Sequence, residues 1–449
     1  MVDESKTPLF ASPNHVGYGA FERSHALSSN GAIATLQGDT PAYTVLAPEA
    51  HKSSNTAAVF HLVCVMAGTG ILQLPYCMKL GGWLSVLLIL LAAATSNYTG
   101  QLIIKLLYIH DGVRLTSFSD VAGAAYGARG RLITRIFKDI SSIGTCTLYL
   151  ILAGYNLNAL LTPTSGMLGV RLWILGCALV IAIPYIGMKT IQDAVILSVF
   201  GVMTTGIMVV IVLSLSVVDL PAHPVHSYNL VDLYGFPVAL SAICFSFGGI
   251  VVWPQVEEGL REPREWPRVL SLATAIVCIM YLLVAVVGYA VYDVEALSPI
   301  LLNLPKGFAL TTGNLMVTIH VLLTTPIMLS SVSNEFENAW YQSATTDSEW
   351  AQFGIRAVVR SLTMLVTAVC AIFVPYFADV MSLLGSLAFS TLIFVFPVVF
   401  YFKLSPEPLT RRRRLMHWGI VLIGCACCVV GSYQALLALA RDFEVSGSN

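Results

Sequence analysis

The stretch Gly68-Thr69-Gly70-Ile71-Leu72-Gln73-Leu74-Pro75 lies inside the first long apolar run of the chain, and its reading decides the fold. Two glycines and a proline make a poor helix interior. Glycine costs about 1 kcal/mol relative to alanine, and proline removes a backbone donor and clashes with the preceding turn. Freed backbone groups at membrane depth are tolerated only where protein or a watery cavity receives them, so breakers at mid-span mark a binding site. The device recurs just past the middle of the chain, where Gly248 leads into Gly249-Ile250-Val251-Val252-Trp253-Pro254. Both copies read Gly-Ile-x-x-x-Pro.

What surrounds the two copies gives them their setting. Of the 449 residues, 56% are hydrophobic and 11% charged, and the mean hydropathy is +0.78. That is too little polar surface for a soluble protein of this length, so the chain reads as an all-α integral membrane protein. A net charge of -1 offers no basic excess to neutralise phosphates, which excludes nucleic acid as a partner. The ten cysteines sit in or beside apolar runs and read as small buried residues; no ligand set with zinc spacing accompanies Cys427, so no metal is expected. No cofactor is expected either.

Eleven runs approach the ~20 residues that cross ~30 Å of hydrocarbon. They are 56–79, 83–107, 140–162, 172–187, 192–218, 235–259, 268–292, 309–333, 356–377, 380–402 and 416–439. Residues 1–55 are polar, lack a cleavable signal peptide and read as a disordered cytosolic tail, in which Tyr43-Thr44-Val45-Leu46 has the form of a tyrosine-based sorting signal. The membrane domain is 56–440, and 441–449 form a short non-cytosolic tail. With the amino terminus cytosolic, 20 of the 24 Lys and Arg fall on the inward side; only Lys79, Arg171, Lys306 and Arg441 do not.

On this count the first and sixth spans cross in opposite senses, so the two breaks are related by inversion. That is the arrangement of a five-plus-five inverted repeat with discontinuous first and sixth helices and an added eleventh. A helix restarted at mid-membrane presents unpaired N–H groups and the positive end of its dipole. The amides around Ile71 and Leu72 suit a carboxylate, and the carbonyls near Ala67, Phe245 and Ser246 suit an ammonium. A small zwitterion such as an amino acid satisfies both. The alternative is that the glycines serve close helix packing.

Side chains that can shape such a pocket are Thr69, Thr145, Cys146, Tyr149, Ser246, Phe247, Thr318 and Thr324, with Phe245 as a possible gate. Ionisable groups within spans are the natural carriers of a coupled proton: Glu257 in the sixth and His320 in the eighth, with Asp139, Asp193 and Asp379 near helix ends. Glu257 reads equally as a solvated carboxylate facing Arg261 or Arg264. His320 has the ordinary pKa for proton work, and a lone buried histidine is also a common core residue. No phosphate-binding loop with Lys is present, so transport would be secondary. No His-Glu-x-x-His or Gly-x-Ser-x-Gly pattern suggests a protease or lipase, and an enzyme is not expected.

Several stretches together resemble the amino acid/auxin permeases, in particular the vesicular inhibitory and vacuolar amino acid transporters. They are Gly70 to Tyr76 running into Gly81-Gly82-Trp83, Tyr98-Thr99-Gly100, Thr145 to Tyr149, Phe245-Ser246-Phe247 through Pro254 to Glu257, and Val374-Pro375-Tyr376-Phe377 with Gly385-Ser386. The resemblance spans about residues 55 to 440. It implies a LeuT-like fold that moves small neutral amino acids by alternating access, usually with protons, in a vacuolar or vesicular membrane. It also supports Thr69, Gly70, Ile71, Ser246 and Phe247 as pocket residues. Where the vesicular branch is expected to carry an acid on the third helix, this chain has Ser141. An amino acid sensor of the same fold, signalling through its tail, remains the alternative; a channel would need more polar side chains within the spans.

Overall fold

Glycine and proline decide where the helices stop. The computed structural model describes residues 43–44, 53–109, 114–161, 166–187, 193–224, 228–344, 348–374, 376–405 and 408–447. Most of the expected tail lies outside the described residues, as do Val45, Leu46, Lys189, Pro375 and the side chain of Asp193. The first span opens with α1 (Asn55–Met66), capped by the Ser54 hydroxyl, which accepts from the Ala57 amide at 3.2 Å. The chain then passes through Gly68 into a 3-10 turn (Thr69–Gln73) and restarts as α2 (Leu74–Gly81), bent from α1 by 43°. Pro75 stands in the first turn of α2, where a missing N–H costs nothing.

The next helices are α3 (Leu84–Leu107), α4 (Phe118–Leu161, kinked at Tyr126–Gly127), α5 (Gly166–Gly187) and α6 (Asp193–Asp219). The sixth span repeats the device of the first. Helix α7 (Phe236–Ser246) ends before Gly248 and Gly249, and α8 (Trp253–Glu258) restarts with Pro254 in its first turn. Then follow α9 (Trp266–Tyr292), α10 (Phe308–Ala344) and α11 (Glu349–Phe373). The tenth span joins α12 (Phe377–Leu384) to α13 (Phe396–Leu404) through π-helical turns at Gly385–Phe389 and Thr391–Val395. The last joins α14 (Arg411–Ala426) to α15 (Ser432–Gly447).

Among the described residues, nine helices are long and apolar enough to cross a membrane, and the bent pair of the first span makes ten. The remaining crossing expected from the sequence is the α7–α8 pair, whose apolar piece of 11 residues is too short to span alone. Large apolar side chains such as Leu172, Ile183 and Leu422 stand exposed on the outer helices. In water they would form an aggregation-prone surface; in lipid they need no cover. Helices α4 and α6 pack along α10; α1, α2 and α3 pack against α9; and α2 packs on α7, which sets the two broken helices beside each other.

A short two-stranded ribbon closes one end. Strand β1 (Tyr43–Thr44) pairs antiparallel with β2 (Arg114–Leu115), and Ser53 bridges to Leu260 just after α8. The expected sorting signal therefore has its tyrosine in a strand.

Candidate functional site

The two helix breaks meet face to face. A Cβ placed on Gly70 would come within 2.5 Å of Ser246 Oγ and 2.7 Å of Ser246 Cα, so only glycine lets the first break lie against the second. A Cβ on Gly68 would meet the Tyr149 hydroxyl at 2.5 Å. Close packing and site formation are thus one feature. The Tyr281 hydroxyl, from α9, lies 2.5 Å from the Met66 carbonyl and 2.6 Å from that of Ser246, at the last turns of α1 and α7. Thr205 of α6 donates to the Ala67 carbonyl at 3.4 Å.

Between the breaks lies a narrow crevice, with about 260 Å³ of space not filled by atoms, its open mouth included. Its wall is formed by Thr69, Gly70, Thr145, Tyr149, Ser246 and Phe389, together with Gly68, Phe245 and Gly248. The lining carries hydroxyls and no charged side chain. Thr69 Oγ1 is buried there without a hydrogen-bond partner among the described residues, and Gly68 offers no capping side chain to the amides that open the 3-10 turn. Buried polar groups are normally paired, so an orphan hydroxyl beside uncapped amides is a place prepared for a ligand. Phe389, from a π-helical turn, meets Phe245 edge-on at 5.2 Å and closes one side.

Of the pocket residues read from the sequence, Thr69, Gly70, Tyr149, Phe245 and Ser246 line this crevice, with Thr145. Leu72 lines a second crevice of about 210 Å³ that shares Gly68 and Thr69 and extends to Thr205 and His320. Ile71, Cys146 and Phe247 are buried but stand outside both walls. Cys146 Sγ donates to the Thr325 carbonyl at 3.7 Å, and Phe247 packs edge-on against Tyr281 at 5.1 Å. Thr318 is bonded to Asn156, and Thr324 sits 3.4 Å from His320 Nε2. His320 Nδ1 lies 2.9 Å from Thr205 Oγ1 and 3.0 Å from the Gly201 carbonyl.

Glu257 is wholly buried, and its partner is Arg114 rather than Arg261 or Arg264. Arg114 Nη2 and Nε donate to Glu257 Oε2 at 2.9 and 3.0 Å, Nη2 also reaches the Pro254 carbonyl at 2.5 Å, and the Tyr108 hydroxyl donates to Oε1 at 2.5 Å. Burial works against the charge of Arg114, yet Glu257, Glu258 and Tyr108 beside it raise its hold on the proton above the ordinary. Burial, with the Glu257 carboxylate next to it, pushes the Tyr108 hydroxyl well up as well. Sequence reasoning missed Arg114, Tyr281 and Phe389. Each lies far along the chain from the break it serves, and nothing local marks it.

A profile of the family described as transmembrane amino acid transporter protein matches residues 51–437. The chain belongs to that family. Similar members of the transmembrane amino acid transporter family include two from Arabidopsis thaliana. Amino acid transporter AVT1H is 27% identical over 405 residues, covering 89% of this chain and 93% of the relative. Amino acid transporter AVT3B is 28% identical over 421 residues, covering 90% and 97%. Among solved structures, a Na+-coupled sialic acid symporter in a substrate-bound outward-open state superposes with a TM-score of 0.56 at 13% identity, over 86% of this chain and 90% of that one. Mhp1, a nucleobase-cation-symport-1 family transporter, gives 0.53 at 14% identity over 91% and 96%. These likenesses establish the fold of this amino acid transporter family member as LeuT-like, with its first and sixth helices broken.

Proposed function

We propose that this chain is a secondary transporter that moves small neutral amino acids across a vacuolar or vesicular membrane by alternating access, coupled to protons. The observation that carries the reading is the crevice between the two breaks. It joins uncapped amides and an orphan Thr69 hydroxyl to carbonyl ends, with no charged side chain in its wall. Helix ends meet the two charges of an amino acid backbone, and a neutral wall leaves a charged side chain without a partner.

His320 is the proton carrier in this reading, because the second crevice opens onto it beside the first break. The geometry favours another task for Glu257: its carboxylate, engaged by Arg114 and Tyr108, holds α8 to the segment before α4. The protein works without a cofactor, and lipid, substrate and protons are its partners.

Uptake of a labelled amino acid panel by purified protein in liposomes, with and without an imposed pH gradient, tests this. Gradient-dependent uptake of small neutral amino acids, with lysine and glutamate left outside, is expected. Saturable binding without uptake under any gradient would overturn transport and favour the sensor.

A further inference from the structure

A line of small polar side chains leaves His320 and follows α1 away from the break. Thr324 Oγ1 sits 3.4 Å from His320 Nε2 and 3.8 Å from Cys64 Sγ on α1. Cys64 is hydrogen-bonded in turn to Ser198 of α6, and Ser198 Oγ lies 2.8 Å from His61 Nδ1, one turn of α1 before Cys64. All five side chains are buried, and His61 Nε2 has no hydrogen-bond partner among the described residues. His61 stands six residues before Ala67, about 9 Å along the helix from the break, and about 10 Å from the cap at Ser54. The line therefore starts at the second crevice, beside the first break, and ends at an imidazole whose Nε2 has no partner among the described residues, partway to the end of the molecule where the chain enters the first helix.

We infer that His320, Thr324, Cys64, Ser198 and His61 form a relay that carries the coupled proton between the second crevice and the side of the membrane from which α1 enters. This rests on the proton-coupled reading above. The exchange is balanced atom by atom. Protonated His320 gives its Nε2 hydrogen to Thr324 Oγ1, whose own hydrogen swings from the His320 carbonyl, 2.7 Å away, to Cys64 Sγ. The thiol hydrogen goes to Ser198 Oγ, and the Ser198 hydrogen goes to His61 Nδ1. The imidazolium formed at His61 then gives the hydrogen on Nε2 to a water molecule that enters from the end where α1 begins when alternating access opens that side. One proton leaves His320, one leaves His61, and the three carriers between them keep their hydrogen count. Histidine chains of this kind are a recurring way to move protons through protein within a membrane.

The described acids on the packed elements face partners of their own: Asp139 on α4 faces Arg135, and Asp219 on α6 faces His223 and Tyr292. Glu257 and Glu258 face Arg114, Glu335 faces Lys138 and Arg135, and Glu337 faces Arg360. Tyr281 on α9 faces the Met66 and Ser246 carbonyls. On α6 the groups that face the relay are the Ser198 hydroxyl at His61 and the Thr205 hydroxyl and Gly201 carbonyl at His320, and the side chain of Asp193 lies outside the described residues.

The test uses full-length protein in liposomes holding a pH-sensitive dye, and compares wild type with His61→Ala, Cys64→Ala and Cys64→Ser. Gradient-driven uptake and proton influx are read beside exchange of labelled for unlabelled substrate at equal pH, which needs no net proton passage. The relay predicts that His61→Ala and Cys64→Ala lose at least tenfold in driven uptake and proton influx while exchange stays within twofold. Cys64→Ser, which keeps a donor and acceptor at that point, restores both. Cys64→Ala and Cys64→Ser remove the same bulk, so a packing defect would strike both alike. Driven uptake within twofold of wild type in both alanine variants overturns the relay, as does parallel loss of exchange or a serine variant as poor as the alanine one. Wild-type uptake without proton influx would instead overturn the coupling reading itself.

Discussion

Gly70 shows what a single side chain decides here. A methyl group added at this position meets Ser246 Oγ at 2.5 Å and, less negotiably, the Ser246 backbone Cα at 2.7 Å. Overpacking of that kind costs about 1–3 kcal/mol when neighbours can shift, and here the neighbour is the other broken helix. Gly70→Ala is therefore expected to weaken substrate binding at least tenfold, measured by scintillation proximity on purified protein, and Ser246→Gly to restore only part of it because the Cα remains. Glycine at this point was legible in the sequence because its conformational freedom is a local property. Cys146 and Phe247 were not resolved from pocket residues by sequence. In an apolar span every face is hydrophobic, and which one turns inward depends on partners that the sequence does not place.

At the scale of elements, the short helix α8 is held by one buried ion pair. Arg114 binds both Glu257 and the Pro254 carbonyl, so it ties the restarted half of the sixth span to the ribbon before α4. Removing one partner leaves an uncompensated buried charge, at a cost of about 3–5 kcal/mol. Arg114→Ala and Glu257→Ala are each expected to lower the thermal midpoint in detergent clearly, while the double variant loses much less than the sum. Additive losses would show that the two residues act separately. The breaks themselves were readable, since glycine and proline interrupt helices wherever they stand. The clamp was not: 143 positions separate its two charges, and nearer arginines offered themselves to Glu257.

Over the whole molecule, the distribution of cations fixes an expectation for topology. With 20 of 24 Lys and Arg assigned to one side, the amino terminus is expected to face the cytosol and the carboxyl terminus the opposite compartment. Protease digestion of sealed vesicles carrying a tag at either end checks this: only the amino-terminal tag should be cleaved from the cytosolic side, and equal cleavage of both would require an even number of crossings. The LeuT-like architecture was legible at this scale because inversion of two matching breaks is a property of spacing and charge.

What spacing could not reveal is how the two breaks communicate. A phenol has one hydrogen to give, and Tyr281 stands between two carbonyls that both want it. The Met66 carbonyl also accepts from the Gly68 amide at 2.9 Å, so it keeps a donor when the phenol turns away, and the Ser246 carbonyl is the one that depends on Tyr281. One hydroxyl on α9 thus pins the ends of both broken helices, and a shift of α9 is felt at the two breaks together.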